Sequence, residues 1–379
     1  MAWRYFATRL NGDGTETETV SDIPASGVQI TDSLSAPDQM NMTVRPEMLA
    51  LKTRDGRPVF LPWATAVYAE SDGVIRHGSI VTRLSTGDSG SSLTVESTGF
   101  SAYPKGMPWT NTTKKLYQWD PADVIRLIWD YLQSHPLGNL GVRLNGTKST
   151  AKVGVKTPEV KDSKGEVTTQ AVDEPILLAN YATTDLGALI DELAEAGALD
   201  WREHHAWTSS GTIEHRIDLS FPRAGTRRHD LLLDTGVNCL AIPDVDIHAD
   251  DYASEVLLLC AGEGDKMVRA HAYVPAPSRL RRVAVEQGKH IGRADTARTV
   301  AANRARLKNT FATDVAEVRV YDHPLAPLHS WQPGDELRLV GEAGWAGELD
   351  QWVRVMSTTY EPDAFEAGAT LTVTRADRT

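Results

Sequence analysis

The segment Trp119–Leu144 constrains the fold most, because it predicts a helix, the end of that helix and a strand in immediate succession. Asp120 is a favourable N-cap, Pro121 suits the first helical position, and the carboxylate of Asp123 complements the helix dipole. Apolar residues then recur at helical spacing and form one face. These residues are Val124, Ile125, Ile128, Tyr131 and Leu132.

The predicted helix ends near Ser134, because Pro136 disfavours helical backbone at His135. Three apolar residues then alternate with polar or small ones, which predicts a half-buried strand. They are Leu140, Val142 and Leu144. The whole segment divides the chain, since strand patterns precede it and mixed helix and strand patterns follow it.

Strand patterns follow one another without a helix in the first hundred residues. A strand is predicted at 3–10, and two further strands at 64–70 and 74–84 flank the turn Ser71–Gly73. Positive φ is required at Gly73 of that turn. Short strands at this spacing predict a small sandwich or barrel.

A second helix is predicted from Leu186, with Thr184 as N-cap, Asp185 in the first turn and Gly197 as the C-terminal stop. Its apolar row consists of Leu186, Leu189, Ile190 and Leu193. A hairpin with strands at 199–207 and 213–221 follows. Its second strand alternates strictly, which predicts a sheet with one solvated face.

Residues 145–175 are polar with little periodicity, so we expect an exposed excursion or hairpin inserted into the middle of the chain. After residue 230 the pattern is again β-rich, and Arg293–Asn309 predicts a helix with a row of alanines. The first strands expected there are Leu231–Leu233, Val237–Ile242, Glu255–Cys260 and Met267–Val274, and the last are 315–321, 335–340, 351–360 and 369–375.

The predicted fold class is therefore α+β, β-rich and multidomain, with two small β-barrel-like domains flanking mixed α+β domains. The predicted boundaries are 1–100 for the first β domain, 101–230 for the middle domain, 231–310 for a β-rich connection ending in a helix, and 311–379 for the second β domain.

The 379-residue chain has a formal charge of −12, which opposes tight binding to the phosphate backbones of nucleic acids. An acidic surface is nevertheless suited to a channel through which DNA slides without binding. A local positive patch consists of six arginines, where we expect a protein–protein contact. They are Arg279, Arg281, Arg282, Arg298, Arg304 and Arg306.

Cys239 and Cys260 lie in apolar contexts and cannot supply a disulfide framework or a four-cysteine metal site. We expect two buried free thiols in a protein made in the cytoplasm. No secretory signal pattern opens the sequence, and the longest apolar run, Val256–Ala261, is too short to span a bilayer. We therefore expect a soluble protein without a membrane anchor.

The loop Gly87–Ser91 resembles the nucleophile loop of chymotrypsin-like serine proteases. Those enzymes need a histidine base and an orienting acid from far upstream. Only His77 precedes Ser89, and it lies in the adjoining strand of the same hairpin. We therefore interpret Asp88 and Ser89 as part of a polar turn.

His204, His205 and His215 fall on facing strands of the predicted hairpin and could in principle converge on a metal ion. No HExxH spacing accompanies them, and no acidic or cysteine partner stands at a recognisable distance. We expect two surface histidines and one on the apolar face. Three acidic residues of the second helix are assigned to its solvated face rather than to acid–base catalysis. They are Asp191, Glu192 and Glu195.

Two other patterns are assigned to structure. The loop Gly262–Asp265 lacks the residues of a phosphate-binding loop and is predicted to be a turn. The ten tryptophans are scattered along the chain, which favours core packing over a glycan-stacking surface. The sequence thus predicts no catalytic, cofactor-binding or metal-binding residues and no enzyme.

Eight stretches in order, including GFSAYPKGMPW at 99–109 and WQPGDELRLV at 331–340, resemble the minor tail proteins of actinobacterial siphophages. That group is similar to the tail-tip or baseplate hub proteins. None of the stretches is a catalytic motif, so the specificity comes from their order and extent. The other six are 23–47, 67–81, 119–144, 185–207, 213–228 and 261–266.

The resemblance implies a hub fold in which three copies bring six small β domains into a pseudo-six-fold ring. Such a ring matches a hexameric tail tube to a three-fold tip and lets DNA pass in transit. The implied partners are two further copies, the distal tail protein ring, the C-terminus of the tape-measure protein and other minor tail or receptor-binding proteins. The implied location is the virion tail tip. Some relatives carry an extra C-terminal lysin or receptor-binding domain, and because this sequence ends with the β domain at Thr379, we expect no such domain here.

Two other functions remain open at this point. A host-surface or glycan-binding tail protein predicts an exposed cluster of Trp or Tyr with a polar rim. A tail-associated peptidoglycan hydrolase would have to use the Asp88–Ser89 loop or the histidine hairpin.

Overall fold

The computed structural model describes most of the chain, and in the described ranges it contains three α-helices and 26 strands. No helix in these ranges has the length and apolar content that a bilayer crossing requires. The described residues are 3–53, 56–87, 90–161, 167–169, 171–182, 185–247, 252–275, 279–289, 291–308, 313–344, 347–363 and 368–376.

Seven strands form the N-terminal part. They are β1 (Trp3–Leu10), β2 (Glu16–Val20), β3 (Ala25–Ser33), β4 (Gln39–Val44), β5 (Thr65–Ser71), β6 (Val74–Gly87) and β7 (Ser92–Thr98). Short 3-10 helices occur at Pro46–Ala50 and Phe100–Ala102. The turn between β5 and β6 has positive φ at Asp72 and at Gly73, as predicted for the glycine.

Two helices and nine strands form the middle part. They are β8 (Lys114–Leu116), α1 (Pro121–Gln133), β9 (Val142–Leu144), β10 (Val155–Thr157), β11 (Val160–Lys161), β12 (Val167–Thr169), β13 (Val172–Glu174), β14 (Ile176–Leu178), α2 (Leu186–Gly197), β15 (Asp200–Trp207) and β16 (Ile213–Ser220).

Ten strands and one helix complete the chain. They are β17 (Arg227–Asp234), β18 (Val245–Ile247), β19 (Glu255–Cys260), β20 (Arg269–Tyr273), β21 (Val283–Gly288), α3 (Ala294–Lys308), β22 (Thr313–Val315), β23 (Glu317–Tyr321), β24 (Glu336–Glu342), β25 (Glu348–Tyr360) and β26 (Gly368–Arg375). A 3-10 turn at Gly264–Lys266 matches the turn predicted there.

One twelve-stranded sheet contains strands from both ends of the chain. Its order is β17-β24-β25-β3-β4-β7-β6-β5-β1-β2, and β26 pairs with both β25 and β23 beside this path. Strands β3 and β25 join the two halves as an antiparallel pair, from Ser33 opposite Ser357 to Ile30 opposite Tyr360. The two ends of the chain therefore meet in the middle of one sheet.

This sheet is open. Its path ends at β2 and β17, and no sheet within the described ranges closes on itself. The chain is β-rich α+β, as predicted, but the barrel-like form of its terminal domains is not confirmed. The two halves share one apolar core, which includes Met42 and Val95 from the first half and Leu339 and Val353 from the second. Because both halves contribute to one core, neither half has to close into a barrel to bury its own apolar face.

A second core lies under α1 and α2. The predicted N-cap of α1 is confirmed, since the Asp120 side chain accepts a hydrogen bond from the backbone N–H of Ala122 at 3.0 Å. The helix ends at Gln133 with Ser134 as its C-cap, also as predicted. All five residues of its predicted apolar face are buried.

The ends of α2 differ from the prediction. Its N-cap is Asp185, whose Oδ1 accepts hydrogen bonds from the N–H groups of Gly187 and Ala188. Thr184, the predicted cap, lies outside the described residues. The left-handed C-cap is Ala198 with φ 49°, one residue beyond the predicted Gly197. Gly197 instead permits close packing, because a Cβ there would lie 3.0 Å from Cβ of Pro121.

The excursion at 145–175 contains two nested antiparallel pairs, β10 with β13 and β11 with β12, so the expected hairpin is confirmed where it is described. Its base is attached to α1. The N–H of Ser149 donates to the Asp120 carboxylate, and Arg126 donates to the carbonyl oxygens of Asn145 and Thr147. Capping groups of α1 thus also hold the excursion.

The strand predicted at Val237–Ile242 is wrong. The chain makes a turn there, with a single bridge between Cys239 and Val320. The carbonyl oxygen of Asp234 accepts the N–H groups of residues 237, 238 and 239, while its side chain accepts the N–H of Gly236. Local Asp, Gly and Asn chemistry therefore overrides the apolar pattern.

Strands β20, β19 and β21 form a separate three-stranded sheet, with α3 packed on one face. The predicted helix is confirmed, and of its predicted alanine row Ala297, Ala301 and Ala305 are fully buried, whereas Ala294 is exposed. Cys239 and Cys260 are buried free thiols, as expected. Burial raises the pKa of the Cys239 thiol to about 12 and also raises the pKa of Cys260.

The α1 core provides a matched pair of substitutions. We expect Leu132→Ala to lower the free energy of unfolding by about 2–5 kcal/mol, because it leaves a cavity in the second core. Leu137→Ala makes the same chemical change five residues later, at a side chain that is 82% exposed, and should alter stability by less than about 0.5 kcal/mol. Urea denaturation monitored by circular dichroism measures both, and equal losses would contradict the assignment of the buried face.

Candidate functional site

The most concentrated polar cluster lies where β15 and β16 pack against the N-terminal strands of the twelve-stranded sheet. His205 and His215 are directly opposite each other in the β15–β16 register, and their Nδ1 atoms lie 2.9 Å apart. Both are buried, so the expectation of a surface position for His205 is wrong. The reason is that Tyr68 and Phe100 pack their rings against this face of the hairpin and exclude solvent.

Glu16 lies on the N-terminal side of this cluster. Its Oε1 is 2.9 Å from Nε2 of His215. The hydroxyl groups of Tyr68 and Thr8 donate to the same carboxylate at 2.8 Å and 2.6 Å. Strands β1, β2 and β5 thereby converge on one acidic group at the edge of the large sheet.

Glu203 lies on the other side. Its Oε2 is 3.7 Å from Nε2 of His205 and accepts the N–H of Phe100 at 2.7 Å. Its Oε1 accepts the hydroxyl of Ser101 at 2.6 Å. The 3-10 turn after β7 is therefore fastened to β15 through this carboxylate.

The four groups form a chain, Glu16–His215–His205–Glu203. Because two Nδ1 atoms face each other, one must donate and the other accept. The pKa of His205 is lowered to about 4, chiefly by burial; the neighbouring His215 and His77 act in the same direction, and Glu203 opposes them. His205 is therefore neutral near pH 7, and its Nε2, 3.7 Å from Oε2 of Glu203, has no hydrogen-bond partner within the described ranges.

Both carboxylates of the chain favour the charged form. Burial raises the pKa of Glu16, but the hydrogen bond and charge of His215, with the hydroxyl donors, outweigh this and leave it below its ordinary value. Burial also raises the pKa of Glu203, but its contacts with His205 and Ser101 outweigh this effect and leave the pKa below its ordinary value. The chain is thus a buried polar joint between two parts of the fold, with a charged carboxylate at each end.

Asp38, Asp32 and His77 lie beside this joint, with potential ligand atoms within 4.8 Å of one another. His77 Nδ1 is 3.0 Å from Oδ1 of Asp32, and Asp38 accepts the N–H of Ser33 at 2.7 Å. Burial, together with the charges of Glu203 and Asp32, raises the pKa of Asp38 well above its ordinary value. His77 Nδ1 and Asp38 thus have protein partners, whereas the buried His77 Nε2 has none within the described part of the chain.

Two glycines make room for the cluster. A Cβ at Gly99 would lie 2.0 Å from Oε1 of Glu203 and 2.8 Å from the backbone nitrogen of Asp38. A Cβ at Gly78 would lie 2.9 Å from the ring of His205. The sheet and the hairpin can approach closely only because these positions lack side chains.

A second ionic joint connects the hairpin to the C-terminal half. The guanidinium group of Arg354 on β25 pairs with the carboxylate of Asp200 on β15 and donates to the carbonyl oxygen of Ala224 at 3.0 Å. Arg354 is buried, so losing either partner would leave a desolvated charge. The middle hairpin is thus fixed to both halves of the large sheet.

Other residues singled out in the sequence are not brought together. His204 points away from the cluster, on the opposite face of β15, and Asp88 and Ser89 lie outside the described residues. The acidic residues of α2 are exposed, as predicted. Of the nine described tryptophans four are buried, three are intermediate and two, Trp63 and Trp119, are exposed.

Sequence reasoning missed Glu16, Glu203 and Asp38. One usable signal was present, because Trp201, Glu203 and His205 share one face of β15 and the first of them is apolar. A carboxylate on a face that is otherwise predicted to be buried needs a partner. The partners themselves come from β2 and from the turn after β7, which no local pattern connects to β15.

No family model matches the sequence, and no curated protein matches it. Solved structures do match. The 43 kDa tail protein of prophage MuSo2 from Shewanella oneidensis superposes with a TM-score of 0.59 at 14% identity, covering 99% of both chains. The chain has the fold of a phage tail protein.

Two further tail proteins match over nearly their whole lengths. Prophage tail protein gp18 from Listeria monocytogenes EGD-e gives a TM-score of 0.54 at 12% identity, covering 97% of this chain and 94% of that one. The tail protein from Neisseria meningitidis MC58 gives 0.54 at 14% identity, covering 100% and 97%. The similarity therefore includes both halves of the large sheet and the middle part.

The histidine joint predicts acid sensitivity. Unfolding restores the pKa of His205 from about 4 to 6.5, so the unfolded chain binds more protons between these values and stability falls as pH is lowered through them. At lower pH, protonation of Glu16 and Glu203 removes their contributions to the free energy of unfolding. Asp38 acts in the opposite direction, because its pKa is raised in the folded chain. We expect a slope from His205 of up to about 1.4 kcal/mol per pH unit.

The measurement is the free energy of unfolding by urea between pH 7 and pH 4. His205→Gln should flatten the pH dependence, whereas His229→Gln, at an exposed histidine of β17, should keep the wild-type slope. Identical slopes in all three proteins would contradict the role assigned to His205.

The close approach at Gly99 gives a separate prediction. Gly99→Ala should destabilise the chain by about 1–3 kcal/mol, because its Cβ would displace the Glu203 carboxylate. Gly146→Ala is the matched control, since no atom lies within 4 Å of its added Cβ. Thermal unfolding should separate the two variants, and an unperturbed Gly99→Ala protein would rule out the tight joint.

Proposed function

We propose that this chain is a structural hub protein of a siphophage tail tip, of the kind found in actinobacterial phages, and that it acts as a homotrimer. The observation that carries the proposal is the full-length match to prophage tail proteins, together with a sheet built from both ends of the chain. The resemblance in the sequence supplies the finer assignment to the hub.

The proposed mechanism is geometric. Residues 1–100 and 311–379 act as two equivalent β units, so three copies present six units to the six-fold tail tube and three-fold symmetry to the tip. Residues 101–230 and 231–310 lie between them as the middle and connecting domains. The open edges at β2 and β17 leave strands available for neighbouring copies, which favours completion of a barrel-like ring only after assembly.

The charge supports passage of DNA. A formal charge of −12 repels phosphate, so a channel lined by such a surface lets DNA slide during ejection without retaining it. The proposed neighbours are the distal tail protein ring, the C-terminus of the tape-measure protein and other minor tail or receptor-binding proteins, at the tip of the virion tail.

We assign no catalytic, cofactor or metal residues and propose that the chain is not an enzyme. The Glu16–His215–His205–Glu203 chain is buried among aromatic rings, a position suited to holding two parts of the fold together. A peptidoglycan hydrolase needs an acid and a base that face one substrate cleft, whereas Glu16 and Glu203, the two carboxylates of this chain, line two different cavities. Failure of the protein to clear peptidoglycan in a zymogram would agree with the structural role.

A host-surface or glycan-binding tail protein is the second candidate. It is favoured by Trp63 and Trp119, which expose 54% and 40% of their surfaces. It is opposed by the separation of these rings, since neither joins an aromatic pair within the described ranges. Glycan-array binding that depends on Trp63 would favour this candidate over the hub.

Electron microscopy of the tail tip tests the proposal. We expect a three-fold ring of this chain with six similar β units around a channel. A single copy attached as a peripheral fibre or spike would contradict the hub and favour host-surface binding. The purified chain provides a second sample, in which three-fold particles would show that neighbours are not needed for assembly.

A further inference from the structure

The charge of this chain is strongly partitioned. Residues 252–308 contain eleven lysines and arginines against five aspartates and glutamates, a formal charge of +6. Because the total is −12, the rest of the chain carries −18. A cationic part on an acidic body is electrostatically complementary to the body of another copy.

The cationic part is the sheet β20-β19-β21 with α3. Helix α3 covers one face of the sheet, where Leu258, Cys260 and Ala270 pack against its alanine row. The other face, here called the open face, carries alternate residues of all three strands. Its members are Arg269, His271 and Tyr273 on β20, Glu255, Leu257 and Leu259 on β19, and Val283, Val285 and Gln287 on β21.

The outer strands of the open face carry exposed apolar side chains. Tyr273 and Val285 each expose 61% of their surface, and Val283 exposes 42%. Leu280, in the segment leading into β21, exposes 87%. An apolar patch of this kind, surrounded by charged groups, is typical of a protein-binding surface.

The rim contains cations without salt-bridge partners. Arg269 on the open face and Arg282 before β21 are exposed, and neither forms an ion pair within the described part of the chain. Arg281 differs, because it pairs with Glu255 and lowers the pKa of that carboxyl to about 2, with help from His271. The remaining rim charge is therefore available to a partner.

Helix α2 offers the opposite charge. Asp191, Glu192 and Glu195 are exposed on its outer face, and none of them forms a salt bridge in the described ranges. Partial burial and the charge of Asp185 raise the pKa of Asp191, and the nearby Lys105 offsets only part of this effect. A cationic surface docking there would relieve this repulsion.

We propose that the open face of residues 252–308 docks on the acidic face of α2 in the next copy of this chain. The inference rests on the proposed trimeric hub and specifies the contact that links its copies. Two different surfaces are joined, so the contact is heterologous, and repetition of such a contact by rotation closes a ring. The exposed apolar side chains supply burial, while the charged rim sets orientation and register.

A second copy fits this face better than nucleic acid does. A phosphate-binding surface places its cations across the contact area, whereas this face carries the apolar residues Leu257, Val283, Val285 and Tyr273 beside Glu255. The adjoining acidic body would also repel a polyanion. An acidic protein surface that exposes a helix is complementary to this face.

The test uses full-length chains whose mass is measured by sedimentation velocity at low and high salt. Arg269→Glu with Arg282→Glu reverses the cationic rim, and Glu192→Arg with Glu195→Arg reverses the acidic helix. Each double variant should raise the dissociation constant by more than about tenfold. The chain carrying all four substitutions restores complementarity and should regain assembly.

Two controls accompany these variants. Lys115→Glu with Lys152→Glu makes the same charge change at exposed lysines of the middle part and should leave assembly unchanged. Val285→Asp should weaken assembly without altering the circular dichroism spectrum, because the side chain is exposed in a single copy. High salt should weaken the wild-type association.

The results separate this inference from the hub itself. Assembly that survives both double variants would overturn the proposed contact, while a three-fold tail tip would still support the hub. A wild-type chain that stays monomeric at every concentration would also overturn the contact. Loss of binding to phosphate resin in the rim-reversed variant, with assembly unchanged, would assign the surface to an anionic polymer.

Discussion

The pairing of β3 with β25 is the constraint on which the rest of the structure depends. It brings residues near the two ends of the chain side by side, so the middle of the chain must leave the sheet after β7 and return to it at β17. The middle helices and the cationic sheet are therefore excursions from one continuous β platform. A sheet of two halves with unpaired outer edges is well suited to a subunit that presents two β units to a ring.

Buried charges fix the excursions to the platform. Glu16 and Glu203 hold the histidine pair from opposite sides, and Arg354 holds Asp200 from the C-terminal half. Ionic contacts at low solvent exposure are sensitive to geometry, because a displaced partner leaves a desolvated charge. These contacts fix the position of the β15–β16 hairpin more narrowly than apolar packing alone would. The glycines at positions 78 and 99 allow the hairpin to approach the large sheet closely.

Local patterns predicted much of the secondary structure, because caps and periodicity act within a few residues. Helix α1 was predicted from cap to cap, and the alanine row of α3 lies buried from Ala297 onward. The strand predicted around Cys239 failed where side chains of Asp and Asn compete for backbone groups. The joining of the chain ends and the burial of His205 depend on contacts between distant segments, such as β2 with β16, and could not be predicted from spacing.

The central claim is that one chain with two β units forms the three-fold element beneath a six-fold tube. Its most direct measurement is the number of copies per virion, obtained by quantitative mass spectrometry relative to the tail-tube subunit. We expect three copies of this chain for each six-subunit tube ring at the tip. Six copies, or one, would contradict the matching of two β units per chain to the symmetry of the tube.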